Sequence, residues 1–553
     1  AAVASPADVA RAVARHQLAY DGSVLLVAGV APDRRDSSLN ALYFGPGART
    51  LNRRESLDAA AGEVRRQFRD HVAVILGLAG DDQEAAGRGA DAVLAVERQL
   101  AAGTLSAAGA RDPEATYHRL ALADAQALMP SFDLAAFLAA LGVAAPETAI
   151  VTQPEALRAV ERVLSGRPRE ELQTYLRWKL LDATARHLSQ PFRDADRAFR
   201  DQRQGLAESP PRERLVIGEI RQLLAHPLSR LYVEAHFPES TRRAVVGLVG
   251  RVRAELRERL ATNPWLSAGA RKTAVDKLDR VVVDVGYPEE WIDYGGVEIA
   301  SDDHLGNVRR LIEHDARRQL ARLGQPVERD PFGRPGSTTP VDVNAAYQAN
   351  HNAIEITAAI AQPPFFDPAA DDAVNLGTLG AVVGHELTHG FDSRGRLFDA
   401  DGDLADWWTD GDEAEFAART RVLAEQYAAY EVLPGVHQDG RLTVAESTAD
   451  LGGVTLAMAA LGRALTDLPA DTPRPPVVDG LSAEQRCLLA WAQLWRSKAR
   501  PELLRQLAAT DPHPVSALRA AGPLVHLDAF FVAFGITEAD PMWRPPGERV
   551  RIW

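Results

Sequence analysis

The chain has 553 residues, 46% hydrophobic and 25% charged, with 76 acidic against 62 basic side chains and a net charge of −14. That length exceeds one ordinary hydrophobic core, so two lobes are expected of a soluble globular protein, and the acidic balance argues against nucleic acid, whose phosphates are held by Lys and Arg. A single cysteine, Cys487, excludes an intramolecular disulfide.

In the first half, apolar residues recur at three-to-four spacing over 57–76, 91–102, 154–164, 173–187 and 242–260, with Gly and Pro between. This predicts helix after helix. The basic pair Arg242 and Arg243 reads as a solvated helix face. No apolar run reaches eighteen residues, and Ala1 to Pro6 lacks a charged stretch with an apolar run behind it, so no membrane segment is expected.

The second half mixes types. A Pro- and Gly-rich stretch over 328–340 predicts a loop, and 342–347 and 353–357 predict short strands around the polar Gln348 to Asn352. Residues Asn375 to Gly384 are small and apolar, as a buried helix packed closely on its neighbours requires. They lead into His385-Glu386-Leu-Thr-His389. Side chains at i and i+4 share one helix face, so the two histidines can hold one Zn²⁺ with Glu386 beside them as a base.

A catalytic zinc takes three protein ligands, and the best third candidate lies in Thr443 to Gly453, which reads as a second helix. Glu446 and Asp450 stand at i and i+4 there, so Glu446 can reach the metal while Asp450 accepts the other ring N–H of a histidine. Asp392, three residues after His389, is placed to do the same. A further break over 466–480 precedes the last helices, where Cys487, among Leu488, Leu489 and Trp491, reads as a core residue. The other histidines, among them His351, His437 and His526, read as structural.

Five separated blocks carry a family resemblance. They are Val343 to Tyr347, Ala361 to Phe366, Gly384 to Asp392 with Gly395, Arg396, Asp399, Gly402, Trp407 and Trp408, Glu446 to Gly453, and Asp511-Pro-His513 with Arg519 followed by Asp540 to Trp553. In order and spacing the chain resembles the neprilysin and endothelin-converting-enzyme family of zinc metallopeptidases. Weaker likeness extends upstream through Tyr175 to Trp178, Phe192, Asn263 to Leu266, Lys272 to Leu278 and Gly286 to Tyr294. The family's N-terminal opening is not recognisable and its cysteine pairs are missing, with Val550 where the family often has a cysteine.

The resemblance implies a mainly α fold with a small β component in two lobes, a helical lobe over 1–295 and a thermolysin-like catalytic lobe over 296–553, enclosing a central cavity. It implies one Zn²⁺ per chain on His385, His389 and Glu446, with Glu386 as the base, Asp450 and Asp392 orienting the histidines, and His513 stabilising the oxyanion. Asn344 and the Ala345 carbonyl would anchor the substrate backbone. Ile360, Phe365, Val382 and Trp495 would wall a pocket for the residue after the scissile bond, with Arg519 at its side holding a substrate carbonyl.

The expected function is hydrolysis of short peptides on the amino side of hydrophobic residues. A specialised maturation protease or an amide hydrolase for one precursor is the second reading, since Ala346 stands where the family often has an aromatic residue. A non-catalytic peptide-binding protein is the third, disfavoured because the ligands and the base are all present. The missing cysteines point to a bacterial, cytoplasmic enzyme; secretion after signal removal stays open, and the sequence sets no oligomeric state.

Overall fold

The computed structural model describes residues 5–20, 23–328, 332, 338–467 and 477–553. Helices dominate, and the strands form small sheets, as expected. Most of the loop predicted over 328–340 and of the break predicted over 466–480 lies outside the described residues.

Two compact units are present, Ala1–Asp33 with Ser38–Leu224 and Asp293–Val327, and Arg34–Ser37 with Ala225–Ile292 and Glu328–Trp553. The expected division at 295 differs from this for a physical reason. Strand Val282–Gly286 lies before that point, yet it pairs in parallel with Ala353–Thr357, and helix Glu239–Thr262 packs on the helices that carry the histidines and Glu446. Conversely, helix His304–Leu320 lies after it but packs on the first helix, Pro6–Tyr20.

In the first unit, helices Gly62–Leu78, Gln83–Ala102, Pro154–Gly166 and Arg169–Thr184 bury their apolar stripes in one core that includes Phe68, Leu76, Val160, Tyr175 and Trp178. The expectation of helices alone was incomplete here. Strands Leu26–Asp33, Asp36–Pro46, Thr148–Val151 and His118–Ala121 form a four-stranded sheet in that spatial order. Two of these strands have only four residues, and Leu25 to Val30 is a short apolar run. Periodicity cannot tell such a run from a buried helical turn.

The second unit holds the candidate site. Its three-stranded sheet runs Val282–Gly286, Ala353–Thr357, Ala345–Gln348, with the central strand buried at every residue and Ala345–Gln348 on an edge. After it the chain turns helical at Asp372–Asn375, passes through a wider π turn at Leu376–Gly380 and continues as Ala381–His389. This last helix is buried on nearly all sides, because helix Val444–Thr466 lies against it.

The approach of those two helices depends on missing side chains. A methyl group on Gly384 would lie 3.0 Å from the Gly453 Cα, and one on Gly453 would lie 2.9 Å from the His385 amide nitrogen and run into the Ala381 carbonyl oxygen. Backbone meets backbone, so even one added carbon forces the helices apart. Gly453→Ala is therefore expected to lower stability by about 1–3 kcal/mol and to weaken zinc retention, read from urea unfolding and metal analysis. An unchanged unfolding midpoint would show that the helices do not meet there.

Candidate metal centre

His385 and His389 lie one turn apart on Ala381–His389, with their Nε2 atoms 3.0 Å from each other. Each ring is held from behind by a carboxylate. His385 Nδ1 is 2.8 Å from Asp450 Oδ1, and His389 Nδ1 is 2.6 Å from Asp392 Oδ2. With Nδ1 protonated beside its carboxylate, each neutral ring turns the Nε2 lone pair toward the other. Glu446 closes the set, its Oε2 lying 3.4 Å from His385 Nε2 and 3.2 Å from His389 Nε2.

Three acceptor atoms thus converge where the protein is densely packed, and only a cation or extra protons can reconcile them. Ligands held about 2.0–2.1 Å from a tetrahedral zinc lie about 3.3 Å apart, which matches the three separations. The donor set therefore fits Zn²⁺. Glu386 brings a fourth ligand-type atom within 4.8 Å of the histidine nitrogens.

The electrostatics agree with a site built to hold positive charge. Burial works against the ionised Glu446, yet His389, His385 and His513 hold its carboxylate well below the usual range. Burial also opposes the Asp450 carboxylate, but Arg519 and His385 bring it down to about 2. Arg519 donates through Nε and Nη2 to the two Asp450 oxygens at 2.9 and 2.7 Å. Its guanidinium stacks 3.8 Å above the Trp495 ring, so Trp495, Arg519, Asp450 and His385 form one continuous chain of contacts.

His513 is half-exposed, with Nε2 3.3 Å from Glu446 Oε2 and Nδ1 2.9 Å from Asp511 Oδ1. Asn344 is exposed at the mouth of the edge strand, and Ala345 is buried opposite Ile356. Ile360 and Val382 lie in the core of the unit, while Phe365 and Trp495 are partly buried against it. His526 is structural as expected: Nε2 lies 2.6 Å from Gln426 Oε1 and Nδ1 accepts from the Val550 amide. Cys487 is buried and its thiol is pushed up to about 12, chiefly by burial, in keeping with a core residue.

Two residues that support the site were given no role from sequence. Asp511, quoted there only within its block, is one, holding His513 through both its ring and its backbone N–H. Lys277 is the other, a fully buried lysine on helix Ala268–Asp279. Its Nζ donates to the carbonyl oxygens of Gly390, Gly395 and Phe398, each at 2.7 Å. Those carbonyls belong to the loop bearing Asp392, whose Oδ1 accepts the amides of Arg394 and Gly395 at 2.7 Å. Burial pushes Lys277 down to about 7, against Asp392 and Asp399. Three carbonyls nevertheless consume three N–H groups, which only the ammonium form supplies. The available signal was position: Lys277 shares the buried stripe of Ala270, Ala274 and Leu278.

Lys277→Met is expected to leave three carbonyls without that donor and to cost roughly 3 kcal/mol or more, with faster zinc loss to a chelator. Wild-type unfolding and zinc release would remove Lys277 from the support of Asp392. In Glu446→Ala, zinc occupancy is expected to fall well below one per chain, and stoichiometric metal by elemental analysis would place the third ligand elsewhere.

Comparison with known proteins extends the likeness beyond these residues. Two profiles of peptidase family M13 match residues 1–288 and 344–550. Endothelin-converting enzyme 1 of Mus musculus is 30% identical over 488 residues, covering 86% of this chain and 62% of that protein, and the Homo sapiens enzyme gives the same figures. The chain thus spans about 62% of the length of these curated relatives. The zinc metalloprotease 1 of Mycobacterium tuberculosis, solved with an inhibitor, is 34% identical with a TM-score of 0.95, covering 100% of this chain and 84% of that one. PepO of Lactobacillus rhamnosis has the same fold, at 24% identity and a TM-score of 0.86, covering 100% of this chain and 85% of that one. The N-terminal half, whose opening carried no recognisable likeness by itself, is thereby included. From the first helix to the closing residues, this two-lobed chain belongs to peptidase family M13.

Proposed function

We propose that the chain is a zinc-dependent endopeptidase that cleaves short peptides on the amino side of hydrophobic residues. The observation that carries this reading is the convergence of His385, His389 and Glu446 within 3.0 to 3.4 Å of one another, with Glu386 on the same helix. When bound, Zn²⁺ supplies Lewis acidity to water and to the scissile carbonyl. The remaining tasks fall to the chain's own side chains.

Glu386 takes the proton of the attacking water and returns it to the leaving amine. His513, held at Nδ1 by Asp511, turns Nε2 toward the site, where as a donor it stabilises charge developing on the carbonyl oxygen. Arg519 commits two N–H groups to Asp450, and a guanidinium has five, so others can hold a substrate carbonyl. Strand Ala345–Gln348 is a sheet edge on which an extended peptide can add, with Asn344 and Ala345 anchoring its backbone. The partly buried rings of Phe365 and Trp495, packed against the core that holds Ile360 and Val382, supply apolar surface for the residue after the cut. This supports a preference for a large hydrophobic side chain there.

The test is a panel of peptides of graded length, incubated with wild type, with Glu386→Gln and with chelator, and read by mass spectrometry. The variant is expected to keep zinc and to lose about 10²–10⁴-fold in rate, and wild-type cuts should precede hydrophobic residues. A zinc-loaded variant cutting at the wild-type rate would remove Glu386 as the base. Cuts without side-chain preference would remove the apolar pocket.

A further inference from the structure

We propose that His187, Glu219 and His304 form a second metal site, in the first compact unit, for a divalent transition-metal ion that favours imidazole and carboxylate ligands, as Zn²⁺ does. It is independent of the proposed peptidase reading and additional to the one zinc expected per chain. The three side chains come from separate elements: the turn Ala185–His187, helix Arg212–Leu223 and the first residue of helix His304–Leu320.

One ligand atom from each of the three lies within 4.8 Å of the others. His187 Nδ1 lies 3.2 Å from His304 Nε2 and 3.5 Å from Glu219 Oε2, and His304 Nε2 lies 3.2 Å from Glu219 Oε1. Glu219 meets the two histidines through different oxygens, so both carboxylate oxygens face the imidazole pair, and each contact taken singly is close to the roughly 3.3 Å edge of a tetrahedron about an ion with ligands at about 2.0–2.1 Å. The His187 side chain is only 2% exposed, whereas that of His304 is 60% exposed. One ligand is therefore fixed by packing, and one side is open to an incoming ion and to water as a fourth ligand.

A third cluster, His71 with Asp182 and Asp196, shows what distinguishes this one. There Asp196 already pairs with Arg200 through both oxygens, and the His71 ring is stacked on Phe199. Around His187 two cations compete: Arg186, whose Nε donates to His187 Nε2 at 3.1 Å, and Arg200, which is already turned to Asp196. Metal at Nδ1 requires the ring proton to move to Nε2 and Arg186 to turn away. Arg186 is exposed and can turn freely.

The helix that supplies Glu219 packs on helix His304–Leu320 but is loosely held. None of its residues is buried, and Leu215, Val216, Ile217 and Ile220 are exposed. It ends at Leu223, next to the point where the chain leaves the first unit, and His304 follows soon after the chain returns at Asp293. An ion held by all three side chains would tie the outgoing and returning stretches to the buried His187.

The test uses the full chain, stripped with chelator and titrated with Zn²⁺ and Co²⁺ by calorimetry. Wild type is expected to take two equivalents. His304→Ala, at an exposed position, should melt as wild type does when both are metal-free, and should take one equivalent over the metal range in which wild type takes two, any further binding being at least tenfold weaker. Arg186→Ala should keep both equivalents. His389→Ala should keep the equivalent that His304→Ala loses, and metal should slow amide exchange over 212–223 in that variant. One equivalent in wild type, two in His304→Ala, or unchanged exchange over 212–223 would overturn the site.

Discussion

Helix Ala381–His389 and helix Val444–Thr466 touch backbone to backbone where Gly384 meets Gly453, and the candidate site depends on that approach. At an ordinary interaxial spacing of about 8–10 Å, side chains separate two helices. Here the small residues let Glu446 come within 3.2 Å of His389 and Asp450 within 2.8 Å of His385. One contact therefore brings in both a third ligand and a tautomer-fixing carboxylate.

Around this contact the protein arranges charge in layers. The histidines and Glu446 offer lone pairs to a cation, Asp450 and Asp392 fix the rings, and Arg519 and Lys277 balance those carboxylates. Each buried charge has an opposite charge or a set of dipoles close by, as burial at this density requires. Lys277 acts through backbone carbonyls rather than by direct pairing, so it supports Asp392 by holding its loop. Its second layer is built from helices and a pinned loop, the arrangement that holds ligands in place.

Much of this was legible in the residues. His385, Glu386 and His389 announce themselves by helical spacing, and Glu446 with Asp450 by the same spacing on an apolar, glycine-rich helix. The helices of the first half were readable from periodicity, but its four-stranded sheet was not, because four-residue strands carry too little pattern. The division at 295 failed for another reason. A chain that passes between compact units near 224, near 293 and again near 327 places Val282–Gly286 beside a strand some seventy residues later in sequence, and no local pattern records such a pairing.

Residue types and spacing alone carry the candidate donor set: two imidazoles and a carboxylate at helical spacing, a second pair of carboxylates on another helix, and a histidine and an arginine downstream. Those follow from residue types and from the fixed 3.6-residue turn. Which atoms meet is a matter of how the elements pack. Asp511 holding His513, Lys277 reaching three carbonyls, and His187, Glu219 and His304 converging from three elements all depend on long-range packing. Sequence spacing governs contacts within a turn of helix, whereas contacts between elements are set by how their buried faces fit.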